Sequence, residues 1–243
     1  MDNGLWASWY DIDPADETEW LAWLHDVYLP KLLQRPGIAW AAHYRNTGGG
    51  ESMRELHRVA ARPDEAVPEG CAFLLLVGAP SPHTFFNPHV LDMQETAEDG
   101  QRLAKRRGLR HEFYVEETRV DGCAIEHRFP GSTSAPAIQF GAYRMRTVEA
   151  ELELSRWYSQ QRLPLMSRMK SCVRTRKLVS VAGWAKHGVL YEFSSLADRL
   201  ADHEQPHESK TLDPQAWTGK ITSNAVYPPG SPFVGERIWP PVR

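Results

Sequence analysis

The chain has 243 residues, of which 42% are hydrophobic and 24% charged, with a formal net charge of −3. That composition belongs to a globular protein of one large domain or two small ones. It excludes the basic footprint of a nucleic-acid binder, and no apolar run approaches the ~20 residues of a membrane-spanning helix.

The first residues carry neither a basic n-region nor an apolar stretch, so no signal peptide is expected. Cys71, Cys123 and Cys172 are scattered and odd in number. Reduced thiols in a cytoplasm fit this better than a disulfide framework. No CxxC pair occurs, and no metal site is expected. The run 105–107 is too short for a phosphate patch and reads as a solvated helix end. Nine tryptophans imply a thick aromatic core or a pocket for a flat apolar ligand.

In chain order, residues 5–12 read as a strand stopped by Asp13-Pro14. Asp16 or Thr18 can cap a helix whose Trp20, Trp23, Leu24, Val27, Tyr28 and Leu32 share one half of the wheel. Pro30 should kink that helix, or end it and start another turn. Pro36-Gly37 closes the element, and 38–45 is a second strand. Residues 47–69 read as a long connection, partly extended around 56–60. Residues 71–79 form a strand apolar on both faces, so both should be covered. A proline-bounded loop, 80–89, leads into a helix over 90–107, with Gly108 as its C′ residue. A fourth strand follows at 111–120.

The stretch 129–136 has linker composition. The order then begins again: strand 138–146, helix 148–169, strands 172–182 and 188–193 joined by a turn near Gly183, a short helix 196–203 and a last strand over 220–227. The proline-rich tail is expected to lie extended over the body.

One helical phrase occurs twice. Glu19 to Pro30 and Glu153 to Pro164 share Glu, Trp and Leu-Pro in register, with Trp157 following Trp23 by 134 residues (157 − 23). Phe140 follows Trp6 by the same interval (140 − 6). The fold class is therefore α+β: two ferredoxin-like β-α-β-β-α-β units, 1–128 and 137–243, joined by 129–136. Each unit alone would leave one sheet face bare, at ~25 cal/mol per Å2 of apolar surface. Two units in one chain can pack those faces against each other as an intramolecular α/β barrel.

The order of strand, Trp-bearing helix, Leu-Pro, Pro-Gly and a strand ending Tyr44-Arg45 resembles the EthD-like branch of the dimeric α/β-barrel superfamily, here as a tandem fusion. The family's helix commonly reads His-x-Pro. The position two before proline is Tyr28 in the first unit and Arg162 in the second, so the role of that histidine does not transfer. The resemblance implies a small-molecule protein. Monooxygenases, cyclases, isomerases, haem-handling enzymes and stress proteins all occur in the superfamily, and fold alone does not select among them.

The candidate chemistry lies in the first unit. Tyr28 points from its helix toward the sheet, where a phenol can donate to a substrate oxygen. His25 sits one turn earlier and titrates near neutrality. His43 and Tyr44 face opposite sides of their strand. His25, Tyr28 and His43 are the expected catalytic groups; Trp9, Trp23, Tyr44, Phe85, Phe86, Tyr158, Arg162 and Arg176 are the expected substrate contacts. Phe85 and Phe86 would form a lid. Arg162 and Arg176 would clamp a carboxylate, or else pair internally with Glu192 or Glu153. No nucleotide or serine-hydrolase motif is present. The expectation is a cofactor-independent lyase, isomerase or cyclase acting on a small aromatic or polyketide-like molecule, as monomer or homodimer. The alternatives are an oxygen-using monooxygenase and a non-catalytic binding or stress protein. The resemblance also admits haem on a histidine.

Overall fold

The computed structural model describes residues 2–92, 96–125 and 133–242. The first half supplies β1 (Gly4–Asp11), β2 (Trp40–Asn46), β3 (Phe73–Ala79) and β4 (Arg107–Asp121). The second supplies β5 (Ala137–Met145), β6 (Cys172–Ala182), β7 (His187–Phe193), the short β8 (Ala225–Val226) and β9 (Phe233–Trp239). Hydrogen bonding runs β4-β1-β3-β2, then β9-β5-β7-β6, and returns from β6 to β4. Eight antiparallel strands thus close a barrel, and each half contributes four in the ferredoxin-like order. Closure removes every sheet edge, which an open eight-strand sheet would have to protect.

Strand alternation builds two kinds of core. Leu5, Ala7 and Trp9 of β1 face the interior with Tyr44, Leu74, Tyr114, Ile138 and Phe140. Trp6 and Tyr10 face outward, under the helices of the first half. A second outer core underlies the helices of the second half. Burying a large apolar side chain is worth ~1.5–3 kcal/mol, so the apolar character of both faces of β3 is explained.

The repeated phrase folds the same way in both halves. In the first, α1 (Glu17–Trp23) runs through a π turn, Leu24–Tyr28, into α2 (Leu29–Leu33). Pro30 has no N–H to give, and its ring crowds the carbonyl four residues back. The helix widens instead of kinking: the N–H of Leu29 reaches back five residues to Leu24 O. Between α2 and the second copy stand α3 (Glu51–Val59) and α4 (Ala97–Leu103). The second copy is α5 (Val148–Trp157), a π turn at Tyr158–Arg162, and α6 (Leu163–Met166). The remaining helices are α7 (Leu196–Arg199), α8 (Gln205–His207) and α9 (Trp217–Ser223).

Several expectations require correction. Residues 51–59 are helical, because Met53 and Leu56 share a face that packs on Val234. The backbone N–H groups of Gly50 and Met53, at the start of α3, donate to Glu204 from the other half, 2.9 and 3.2 Å. The helix expected over 90–107 is only α4, capped by Thr96. Gly108 lies within β4 at φ 57°, beside an irregular pairing with β1, and caps no helix. Of the strand expected over 220–227 only β8, Ala225–Val226, is a strand, since 217–223 form α9, and the eighth barrel strand is β9, drawn from the proline-rich tail. Phe140 faces the interior and Trp6 the helices, so the 134-residue interval holds for the helices and not for β1 and β5. Of the expected linker, 129–132 lie outside the described residues, while Ser134 and Ala135 are buried. No helix among the described residues is long and apolar enough to cross a membrane.

Candidate functional site

Beneath the first π turn, β1 and β2 present Tyr10 and His43 side by side toward the helix. Tyr10 OH lies 2.8 Å from His43 Nε2. His43 Nδ1 in turn lies 2.8 Å from His25 Nε2. Two of the expected residues are therefore joined, and the sequence reading missed the third member, Tyr10. The signal for it was available: Tyr10 shares the outward face of β1 with Trp6.

The chain of three groups runs from core to surface. Tyr10 and His43 are fully buried, and His25 is partly exposed. Burial holds His25 at about 4, with Asp26 opposing and Arg45 assisting. Burial, then His25 and Arg45, keep His43 well below its usual range. Burial raises the Tyr10 phenol. All three groups are therefore uncharged at neutral pH. In the tautomer in which His25 Nε2–H donates to His43 Nδ1, and His43 Nε2–H to Tyr10 oxygen, the outer nitrogen of His25 carries a lone pair; in the opposite run, from the Tyr10 hydroxyl outward, it carries the proton. That nitrogen, Nδ1, has no hydrogen-bond partner among the described residues. Trp239 of β9 lies face-on to His25, ring centroids 6.3 Å apart and planes at 22°. Arg45 stands close by, paired with Glu17 at 2.8 Å and 4.9 Å above Phe73.

Tyr28 is buried, but its ring packs on Trp23 at 5.4 Å. The π turn spaces residues at more than four per turn, so the i, i+3 pairing expected of His25 and Tyr28 is not the geometry of this segment. Trp23 is likewise a core ring, with Arg102 5.7 Å above it.

The second half has a cleft at the matching place. It is bounded by β5 and β7, the second π turn, residues 208–212, α9 and Leu56 of α3. Its cavity volume is only about 50 Å3. Tyr158 and Arg162, the first and last residues of the π turn, both line it, as their four-residue spacing suggested. Tyr143 OH donates to Tyr158 OH at 3.0 Å. Arg162 Nη1 donates to Glu208 at 3.3 Å, and the guanidinium lies 4.6 Å above Trp157. Glu208 also lies 2.8 Å from His203 Nε2. Burial pushes the Glu208 carboxyl up, but Arg162 and His203 outweigh it and hold the group at about 2. Burial brings His203 to about 4. The interior thus carries one balanced pair, Arg162⁺ and Glu208⁻. The partner of Arg162 is Glu208 and neither Glu192 nor Glu153. Glu208 was missed because a proline-flanked polar stretch gives no periodic signal.

The remaining expected contacts lie elsewhere. Trp9 and Tyr44 fill the barrel interior, where Tyr44 OH donates to Ala135 O at 2.8 Å. They belong to the core and open on neither site. Arg176 is wholly buried and bonds Glu116 at 2.6 Å and Asp2 at 3.3 Å. That network has no guanidinium face left for a substrate. Phe85 is a core ring against Trp6 and Phe113, and Phe86 packs at 4.8 Å on Phe113. They plug the space under the loop instead of forming a free lid.

No group of three or more His, Cys, Asp or Glu able to hold a metal occurs among the described residues. Haem does not fit the second-half cleft. No histidine lines it, His203 turns Nε2 to Glu208, and its open space is far below the roughly 300–1,000 Å3 of a ligand pocket.

No family model matches the chain, and no curated protein sequence does. Solved structures do. A candidate monooxygenase from Fusobacterium nucleatum is similar over 97% of this chain and 92% of its own, with TM-score 0.60 and 9% identity. A candidate monooxygenase from Lactobacillus acidophilus gives 98%, 94%, 0.56 and 7% in the same order. An anthrone oxidase-like protein gives 98%, 94%, 0.57 and 9%. At such identities the likeness is one of fold. The chain has the fold of the dimeric α/β-barrel proteins, completed within a single polypeptide.

Proposed function

We propose that the chain is an enzyme that abstracts a proton from a small aromatic or polyketide-like molecule without a cofactor. The observation that carries this reading is the unbroken Tyr10–His43–His25 chain, with both links at 2.8 Å. His25 is the base. His43 and Tyr10 are positioning residues that direct its lone pair outward, where Trp239 offers an aromatic plate and Arg45 a cation for the developing oxyanion. A proton taken at Nδ1 leaves the inner bonds intact. Its return to a different substrate atom completes an isomerase, lyase or cyclase cycle. Tyr28, with its ring against Trp23, supports the packing of the turn that carries His25.

A second reading starts from the same carbanion. Molecular oxygen adds to it and water leaves, so a CH2 becomes a carbonyl. One oxygen atom stays on the substrate, and the other departs with the two hydrogens. The monooxygenase and anthrone oxidase-like structures of the same fold favour this version. The repeated strand order and the two π turns support descent of 1–128 and 137–243 from one unit of the EthD-like branch.

The test is hydrogen–deuterium exchange at the activated CH2 of 2-tetralone, followed by NMR with and without an oxygen electrode in the cell. Exchange above the buffer rate, lost in His25→Ala, is the expected outcome. Equal rates for His25→Ala and the unaltered protein would sink the assignment. Oxygen uptake coupled to turnover selects the second reading.

A further inference from the structure

We propose that the barrel interior binds a small planar monoanion of the carboxylate class, such as formate or bicarbonate, on the free edge of Arg110. Arg110 belongs to β4 and is 4% exposed, and its guanidinium lies 4.7 Å above the ring of Trp9. One end of the group is already held: Nη1 donates to the carbonyls of Pro68 and Pro229, 3.2 Å each. Nε and Nη2 have no hydrogen-bond partner. Those two nitrogens share one edge of the planar group and offer parallel N–H donors, the fork that meets both oxygens of a carboxylate. Trp9 is 1% exposed, and the Nε1–H of the ring under the guanidinium also lacks an acceptor.

The charge of Arg110 is left over as well. Among the described residues it makes no ion pair. Its acidic neighbours are Glu112, Tyr114 and Cys71. Burial pushes the Tyr114 phenol and the Cys71 thiol up, so both are neutral. Glu112 turns its carboxyl to the backbone N–H groups of Trp184 and Ala185, 3.1 and 3.0 Å, and burial raises it to about 7. It supplies only part of a counter-charge. A buried cation is tolerated when it is both paired and hydrogen-bonded. A carboxylate on the free edge does both at once. A neutral ligand would leave the charge, and a dianion would exceed it and face Glu112.

The ring beneath Arg110 keeps the occupant small. Formate is little larger than a pair of water molecules and needs far less room than a drug-sized ligand. The segments that carry Pro68 and Pro229 flank a surface pocket of about 490 Å3, lined by Pro63, Val67, Cys71 and Gly230, which gives the route from solvent. Trp9 faces the inside of the barrel, whereas His25 and His43 lie on its outer side. The anion site therefore stands or falls separately from the proposed proton transfer.

The experiment titrates the full chain with sodium formate and, separately, with sodium chloride at constant ionic strength. Tryptophan indole N–H resonances and the thermal midpoint are followed, and Trp9→Phe identifies the resonance of Trp9. Formate should move that resonance saturably, and should raise the midpoint by about 5 °C at a hundredfold excess over its Kd. Arg110→Lys keeps the charge but loses the fork, and should weaken formate about tenfold. Trp9→Phe keeps a ring under the guanidinium but loses one donor. It should weaken formate about fivefold by the midpoint shift, and it decides the matter should Arg110→Lys fail to fold. No saturable effect of formate would overturn the proposal. So would an equal effect of chloride, which needs no fork, and so would a formate affinity unchanged in either variant.

Discussion

The two halves use one scaffold to build opposite interiors. Each lays a helix with a π turn across the outer face of four strands. In the first half the space beneath is filled by Tyr10, Trp20, Trp23, Tyr28 and Phe73, and Tyr10, His43 and His25 are uncharged and hydrogen-bonded in a line. In the second half the residue 134 positions after Tyr28 is Arg162, and the space beneath holds a charge pair and a cleft. One aromatic packs and needs no counter-ion. One guanidinium requires a carboxylate, here drawn from residues 208–212. The difference shows that a repeated backbone does not dictate a repeated interior.

That contrast can be broken most sharply at Arg162. Arg162→Leu strands Glu208 without its cation, and should cost about 3–5 kcal/mol in urea unfolding. Replacing Arg162 and Glu208 together with methionine should recover most of that loss. If the single and double variants are equally unstable, the pair is not what holds the second interior.

The first half should respond in activity and in stability. His25→Ala should lower the 2-tetralone exchange rate about 10²-fold or more, the usual contribution of a general base. It also leaves the buried His43 Nδ1 without its partner, at a cost of about 1–3 kcal/mol in urea unfolding. Tyr10→Phe acts on the other ring nitrogen. It leaves His43 Nε2 without its partner, at a cost of about 1–3 kcal/mol. Its effect on exchange should be smaller than that of His25→Ala.

Acid should separate the halves more gently. Burial depresses His43 well below its usual range, His111 to about 3 and His25 to about 4 in the first half, and His203 to about 4 in the second. A histidine depressed in the folded state takes its proton only on unfolding. Stability therefore falls as pH drops from about 6.5 toward 4, by up to about 1.4 kcal/mol per pH unit for each group. Glu112 works against this. Burial raises it to about 7, so the folded state gains from its protonation as pH falls from 7 toward 4.5. Amide exchange followed by mass spectrometry should show the first half opening first, since it holds three of these four histidines. Uniform opening would remove that distinction.

Local patterning was enough to read the outer layers of this protein. Alternation in β1, β3 and β7, the Trp-bearing helices and the Leu-Pro repeat are short-range signals, and burial of one face follows from each. They implied the barrel, and they placed His25 and His43 near one another. Three features depend on distant parts of the chain. The start of α3 is held by Glu204, more than 150 residues away. The eighth strand comes from a tail whose prolines excluded a helix and left it extended, and its neighbours in the closed sheet are what make it a strand. Glu208 matters only because Arg162 lies buried beside it. A hydrogen bond or ion pair across the fold depends on position in space, and position is decided when the sheet closes. The sequence therefore determined which surfaces must be buried, while the tertiary structure decided which polar groups meet there and what they can do.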